Sequence, residues 1–169
     1  MIDRDYCRLL VQYNAWMNAK LYAAAAQLTD AQRREDRRAF FKSVHGTLNH
    51  LLYADLIWLY RFTDRPTVEL HPDDGLDADF SALHARRTAL DAELSTWVET
   101  LSADWLSADF SYFSKAYGAH FTRPAWTLVA HLFNHQTHHR GQLTTLLTQL
   151  GVEPGVTDLP LVPALAFAD

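Results

Sequence analysis

The chain has 169 residues, 49% hydrophobic and 21% charged, which is enough apolar material for one globular domain across residues 1–169 and excludes a disordered or fibrous chain. Lys plus Arg number 15 against 20 Asp plus Glu, a formal net charge of −5 with no long run of one sign, so no nucleic-acid partner is expected. Cys7 is the only cysteine, which excludes an internal disulfide framework and any CxxC metal site.

Asp3, Arg4, Asp5 and Arg8 interrupt any apolar leader at the start. No segment approaches the roughly 18 consecutive apolar residues that span a bilayer, and the apolar tail Leu159–Phe167 is broken by Pro160 and Pro163. A soluble protein of the reducing cytoplasm, with no membrane partner, is expected. Leu10, Tyr13, Met17, Leu21, Ala24 and Leu28 then recur at spacings of three and four, which predicts a first long helix over Asp5–Leu28. Thr29 is placed to cap one short extra turn.

Ser43 can cap the second long helix, which runs through Val44, Leu48, Leu51, Leu52, Ile57 and Trp58 to about Thr63, with Pro66 ending it. Pro72, Gly75 and several acids mark Asp64–Asp79 as a crossover loop. Leu83, Leu90, Leu94, Trp97 and Leu101 share one face of a third long helix over Phe80–Leu101, leaving Arg86, Asp91 and Glu99 for solvent. Aromatic and Ser/Thr-rich residues around Tyr117-Gly118 predict a hairpin over Asp109–Thr122. A fourth long helix opens with Pro124 in its first turn and closes at Leu150, before the capping Gly151. The expected fold is all-α, an antiparallel four-helix bundle with a short hairpin before the last helix. Its connections are too long to impose simple up-down order.

Nine histidines are the compositional feature best suited to chemistry. In the fourth long helix, with His131 at zero, His135 falls near about 40°, His138 near about 340°, His139 near about 80° and Gln142 near about 20°. Leu128 and Leu146 share that arc, so the polar stripe is embedded in a bundle-facing side and needs partners. His135 and His139 stand one turn apart and can chelate a single ion. His50, on a face with Thr47, Ala54, Ile57 and Trp58, is the best candidate for a third ligand, while His45 lies about 140° round from it. His131 and His138 are candidates to support the ligands or to make ordinary hydrogen bonds, and Gln142 to reach a metal's water or a carbonyl. His71, His84 and His120 are read as structural, and Arg140, on the opposite side from His131, as a surface or interface charge.

A carboxylate-bridged di-iron centre requires ExxH, which occurs nowhere in the chain. A zincin protease requires Glu where Gln136 stands, so the usual general base is missing.

Tyr13-Asn-Ala-Trp-Met-Asn18, Gly46-Thr-Leu-Asn-His50 with Asp55 and Trp58, and His131-xxx-His135-xx-His138-His139-Arg-Gly-Gln142 ending at Leu150-Gly151 resemble the motifs of the DinB/YfiT-like family nearly end to end. The resemblance implies an up-down-down-up helix order and a divalent metal, often zinc or nickel, on His50, His135 and His139. It also implies kinship with thiol S-transferases that use bacterial low-molecular-weight thiols. Three imidazoles leave an open position for water or a thiol, so a metalloenzyme is the leading expectation. A metal-dependent hydrolase, or a non-catalytic metal-stabilised binding or dimerisation protein, is the alternative. A homodimer is expected from the family and from Leu52, Tyr53 and Tyr60, which point away from the His50 face.

Overall fold

Side-chain caps hold the helix starts where Asp, Ser and Thr precede periodic segments. Asp3 accepts the Tyr6 N–H at 2.8 Å, Ser43 that of Gly46 at 3.0 Å and Asp79 that of Ala82 at 2.7 Å. Thr29 and Gln32 form a reciprocal capping box. The computed structural model describes residues 2–67, 70–74 and 78–163. In chain order these give α1 (Arg4–Ala25), α2 (Asp30–Arg34), α3 (Val44–Phe62), α4 (Phe80–Glu99), α5 (Ala103–Ser107), β1 (Asp109–Ser114), β2 (Ala119–Pro124), α6 (Ala125–Gln149) and a 3-10 turn at Leu159–Leu161. Gly75 of the crossover and the end of the apolar tail, from residue 164, lie outside the described residues.

The four long helices α1, α3, α4 and α6 form the bundle, and their contacts give its directions. Arg8 near the start of α1 meets Glu99 at the end of α4, while Tyr22 near the end of α1 stacks on Phe80 and His84 at the start of α4. These two helices are antiparallel. Asp55 of α3 meets Arg87 of α4 and Phe62 meets Trp97, so this pair runs parallel. His50 meets His135 and Trp58 meets His131, so α3 and α6 are antiparallel. The order is therefore up-down-down-up.

Leu83, Leu90, Leu94, Trp97 and Leu101 are all buried, as their period requires. β1 and β2 pair antiparallel from Asp109 with Pro124 to Ser114 with Ala119. Pro124 is thus the last strand residue and the cap of α6, not part of the helix: the Ala125 N–H bonds the Ala108 carbonyl at 2.9 Å and ties the helix start to the ribbon. At the other end Gly151, at φ +79°, and Val152 donate to the Thr148 and Leu147 carbonyls, each at 3.0 Å, in a Schellman closure. Leu52, which had pointed to a partner subunit, is buried within the chain itself. No helix among the described residues is long and apolar enough to cross a membrane.

Candidate metal centre

Antiparallel packing of α3 on α6 brings His50 opposite the i, i+4 pair His135 and His139. His50 Nε2 lies 3.3 Å from His135 Nε2, which lies 3.1 Å from His139 Nε2, and the three donor atoms fall within 4.8 Å of one another. A proton on His135 Nε2 can serve only one of its two neighbours, whereas one cation serves all three lone pairs. Tetrahedral zinc with bonds of about 2.0–2.1 Å places ligand nitrogens about 3.3 Å apart, so the donor set fits such an ion. The group contains no carboxylate.

Burial, reinforced by the neighbouring imidazoles, lowers His50 to about 3 and His135 to about 4. Burial also lowers His139, against the opposing hydrogen bond of Gln142. All three are therefore neutral donors at pH 7. Gln142 Oε1 stands 2.8 Å from His139 Nδ1 and accepts its proton, which fixes the tautomer with the Nε2 lone pair facing the other histidines. Phe41 stacks on His50 with centroids 3.7 Å apart and meets His139 edge-on at 5.3 Å, walling one side of the group. Gly46 permits this placement: a Cβ there would lie 2.2 Å from the Phe41 carbonyl oxygen. Phe41 was missed in the sequence because a loop contact has no period; its only signal is the Phe40-Phe41 pair just before the Ser43 cap.

His131 and His138 adjoin the centre without joining its donor group, and the remaining histidines lie elsewhere. His131 is exposed, with its ring 5.7 Å from His135 and 5.3 Å from Trp58. His138 is exposed, edge-on to His139 at 4.7 Å. His45 is buried, His71 is exposed in the crossover, His84 stacks on Tyr22, and His120 faces Phe113 across the ribbon. Asn49 donates to the Pro72 carbonyl at 2.7 Å and anchors the crossover rather than a ligand.

Behind the histidines lies a buried polar network that periodicity did not reveal. Asp55 receives Arg87 Nη1 at 2.7 Å, Gln136 Nε2 at 2.5 Å and Asn14 Nδ2 at 3.4 Å. Arg87 also donates to Asp91 at 2.8 Å, which takes Asn18 Nδ2 at 2.9 Å. Asp91, expected in solvent, is thus held inside between α1 and α4. Arg140, expected at the surface, is 4% exposed, bonds Asn14 Oδ1 and Thr137 Oγ1, and lies over the Tyr13 ring. The reason is that α6 is packed on two sides: its histidine face meets α3, and the opposite face meets α1. Gln136 also donates to the Leu51 carbonyl at 2.9 Å, so the residue replacing a zincin glutamate fastens α6 to α3.

A profile of the DinB family matches residues 1–167. The chain is 23% identical over 177 aligned positions to Protein DinB of Bacillus subtilis (strain 168), covering 93% of each chain. No solved structure matches. The motif positions fall into two groups, His50, His135 and His139 at the donor site and Asn14 with Asp55 in the buried network, where Asn18 bonds Asp91. With its full-length family match and three histidines able to hold a metal ion, the chain belongs to the DinB family.

Proposed function

We propose that this chain is a divalent-metal-dependent enzyme that takes zinc or nickel on Nε2 of His50, His135 and His139 and transfers a low-molecular-weight thiol to an electrophile. The observation that carries this reading is the convergence of three neutral Nε2 atoms without a carboxylate in the group, a donor set typical of sites that keep a position for substrate. When bound, the ion supplies a Lewis acid that lowers the pKa of a thiol taken up beside it. Gln142 keeps His139 in the ligating tautomer, and Phe41 excludes water over His50 and His139. A cavity of about 340 Å³ bounded by Phe40, Phe41, Lys42, Gly46 and Asn49 reaches His50 and has room for a small thiol. Asp55 is committed to Arg87 and Gln136 and the donor group itself holds no carboxylate, which favours activation of the nucleophile by the ion, although Asp36 and Asp73 line the outer part of the cavity. A reducing cytoplasm suits both a free thiol substrate and the lone, buried Cys7.

Elemental analysis of purified protein should give about one ion per chain, lost in His50→Ala, His135→Ala and His139→Ala. In the cobalt-loaded protein a sulfur-to-cobalt charge-transfer band should appear on adding a small thiol and should survive Cys7→Ser. A cobalt spectrum that responds to carboxylates but to no thiol would replace thiol transfer with metal-dependent hydrolysis.

A further inference from the structure

A second cleft, of about 720 Å³, opens between the end of α3 and strand β1. Arg61 lines it, three turns of α3 beyond His50, about 16 Å along the helix axis at 1.5 Å per residue. Trp58 forms the partition, with one contact to His131 at 5.3 Å and another to Tyr112 at 5.2 Å. The cleft is therefore distinct from the three-histidine centre.

Arg61 is an incompletely satisfied cation. Its guanidinium lies 4.7 Å from the Trp58 ring centre and 4.6 Å from that of Tyr112, so two aromatic faces hold it in one pose. Its hydrogen bond from Nη2 to the Phe113 carbonyl is long, at 3.4 Å, and its Nε is buried with no partner. It takes part in none of the ion pairs among the described residues, whereas Arg65 beside it is tied to Glu93 at 2.7 Å. Burial of this charge lowers its pKa, a sign that the fold leaves it under-compensated. Trp105, Phe110 and Tyr112 supply apolar wall; Arg65, Lys115 and Asp64 also line the cleft among the described residues, with Lys115 donating to the Thr67 carbonyl at 3.2 Å.

A guanidinium held rigid with donors to spare is a preorganised receptor for a carboxylate, because little further side-chain entropy is lost when the anion arrives. We propose that this cleft binds a small organic anion, a carboxylate on an aromatic or other apolar body, with the carboxylate on Arg61 and the body against Phe110 and Tyr112. The competing view is that Arg61 only fastens the ribbon to α3 through its two rings. That view requires no discrimination between a charged ligand and its neutral counterpart.

The metal-loaded full-length protein should be titrated with phenylacetate, with phenylacetamide and with inorganic phosphate, followed by calorimetry and by the fluorescence of the flanking tryptophans. Phenylacetate should saturate one site, and phenylacetamide and phosphate should each bind about tenfold or more weakly. Arg61→Met should reduce phenylacetate to the affinity of the amide, and Arg61→Lys should retain part of the preference for the acid. Equal affinity for acid and amide in the natural protein, which needs no variant to fold, would overturn the proposal. Phosphate binding as tightly as phenylacetate would overturn the apolar part of the site. Phenylacetate binding that persists in Arg61→Met and vanishes with chelator would place the carboxylate on the ion and remove the cleft from consideration.

Discussion

Replacing Arg87 by methionine tests the network that ties the four long helices together. Arg87 is 1% exposed and Asp55 is wholly buried, so the variant strips the ion-pair partner from a carboxylate that cannot reach water. Asp55 would keep only the neutral donors of Gln136 and Asn14, whereas Asp91 would keep Asn18 and some solvent. The cost therefore falls on Asp55, and breaking one side of a buried pair costs about 3–5 kcal/mol. That is a large part of the roughly 5–15 kcal/mol a domain has, and it corresponds to a fall in Tm of about 6–20 °C for a chain of this size. Urea and thermal unfolding should be compared in chelator, so that metal linkage does not mask the difference. Adding Asp55→Asn to Arg87→Met should recover much of the loss, since a neutral amide oxygen still accepts from Gln136 and no charge is stranded. A loss below about 1 kcal/mol in Arg87→Met, or a double variant no more stable than the single, would refute the reasoning.

Gly46→Ala should destabilise the protein by about 1–3 kcal/mol or more by driving a methyl group into the Phe41 carbonyl, and wild-type unfolding would show that the Phe41 loop yields freely. Gln142→Leu should weaken metal binding about 10–100-fold in chelator competition while leaving the metal-free fold nearly unchanged, because it releases the His139 tautomer. Burial pushes the Cys7 thiol up to about 11, so from about pH 9 to 11 the unfolded chain releases a proton the folded chain retains, and stability falls as pH rises. The fall should be about 1.4 kcal/mol per pH unit at most. Unfolding of the natural chain and Cys7→Ala at pH 7 and pH 10.5 checks this, and identical pH slopes would contradict it. Light scattering should give about twice the 19.3 kDa chain mass for the expected homodimer, and a mass near 19.3 kDa independent of dilution would remove it.

The histidine cluster was legible in the sequence because a helix converts spacing into direction: His135 and His139 must share a face, and His50 lies on an apolar face of its own helix. The caps at Thr29 and Ser43 are equally local, and the starts of those two helices followed from them. Gln136, Asp55, Arg87 and Arg140 were not legible as partners. Periodicity tells which residues of one helix lie together but not which helix lies opposite, and a polar residue on a helix has the same pattern whether it meets solvent or another charge. Only the packing of α6 between α3 and α1 decided that Arg140 is inside and that Gln136 reaches Asp55. Phe41 and Arg61 were decided in the same way, one by a loop that lays its ring on His50 and the other by a ribbon that brings Tyr112 over a helix end. Local spacing therefore determined the ligand candidates and the helices that carry them. Gln142, three residues from His139, orients it locally, whereas the burial and the Phe41 ring that keep those ligands neutral and shielded come from packing that no repeat along the chain encodes.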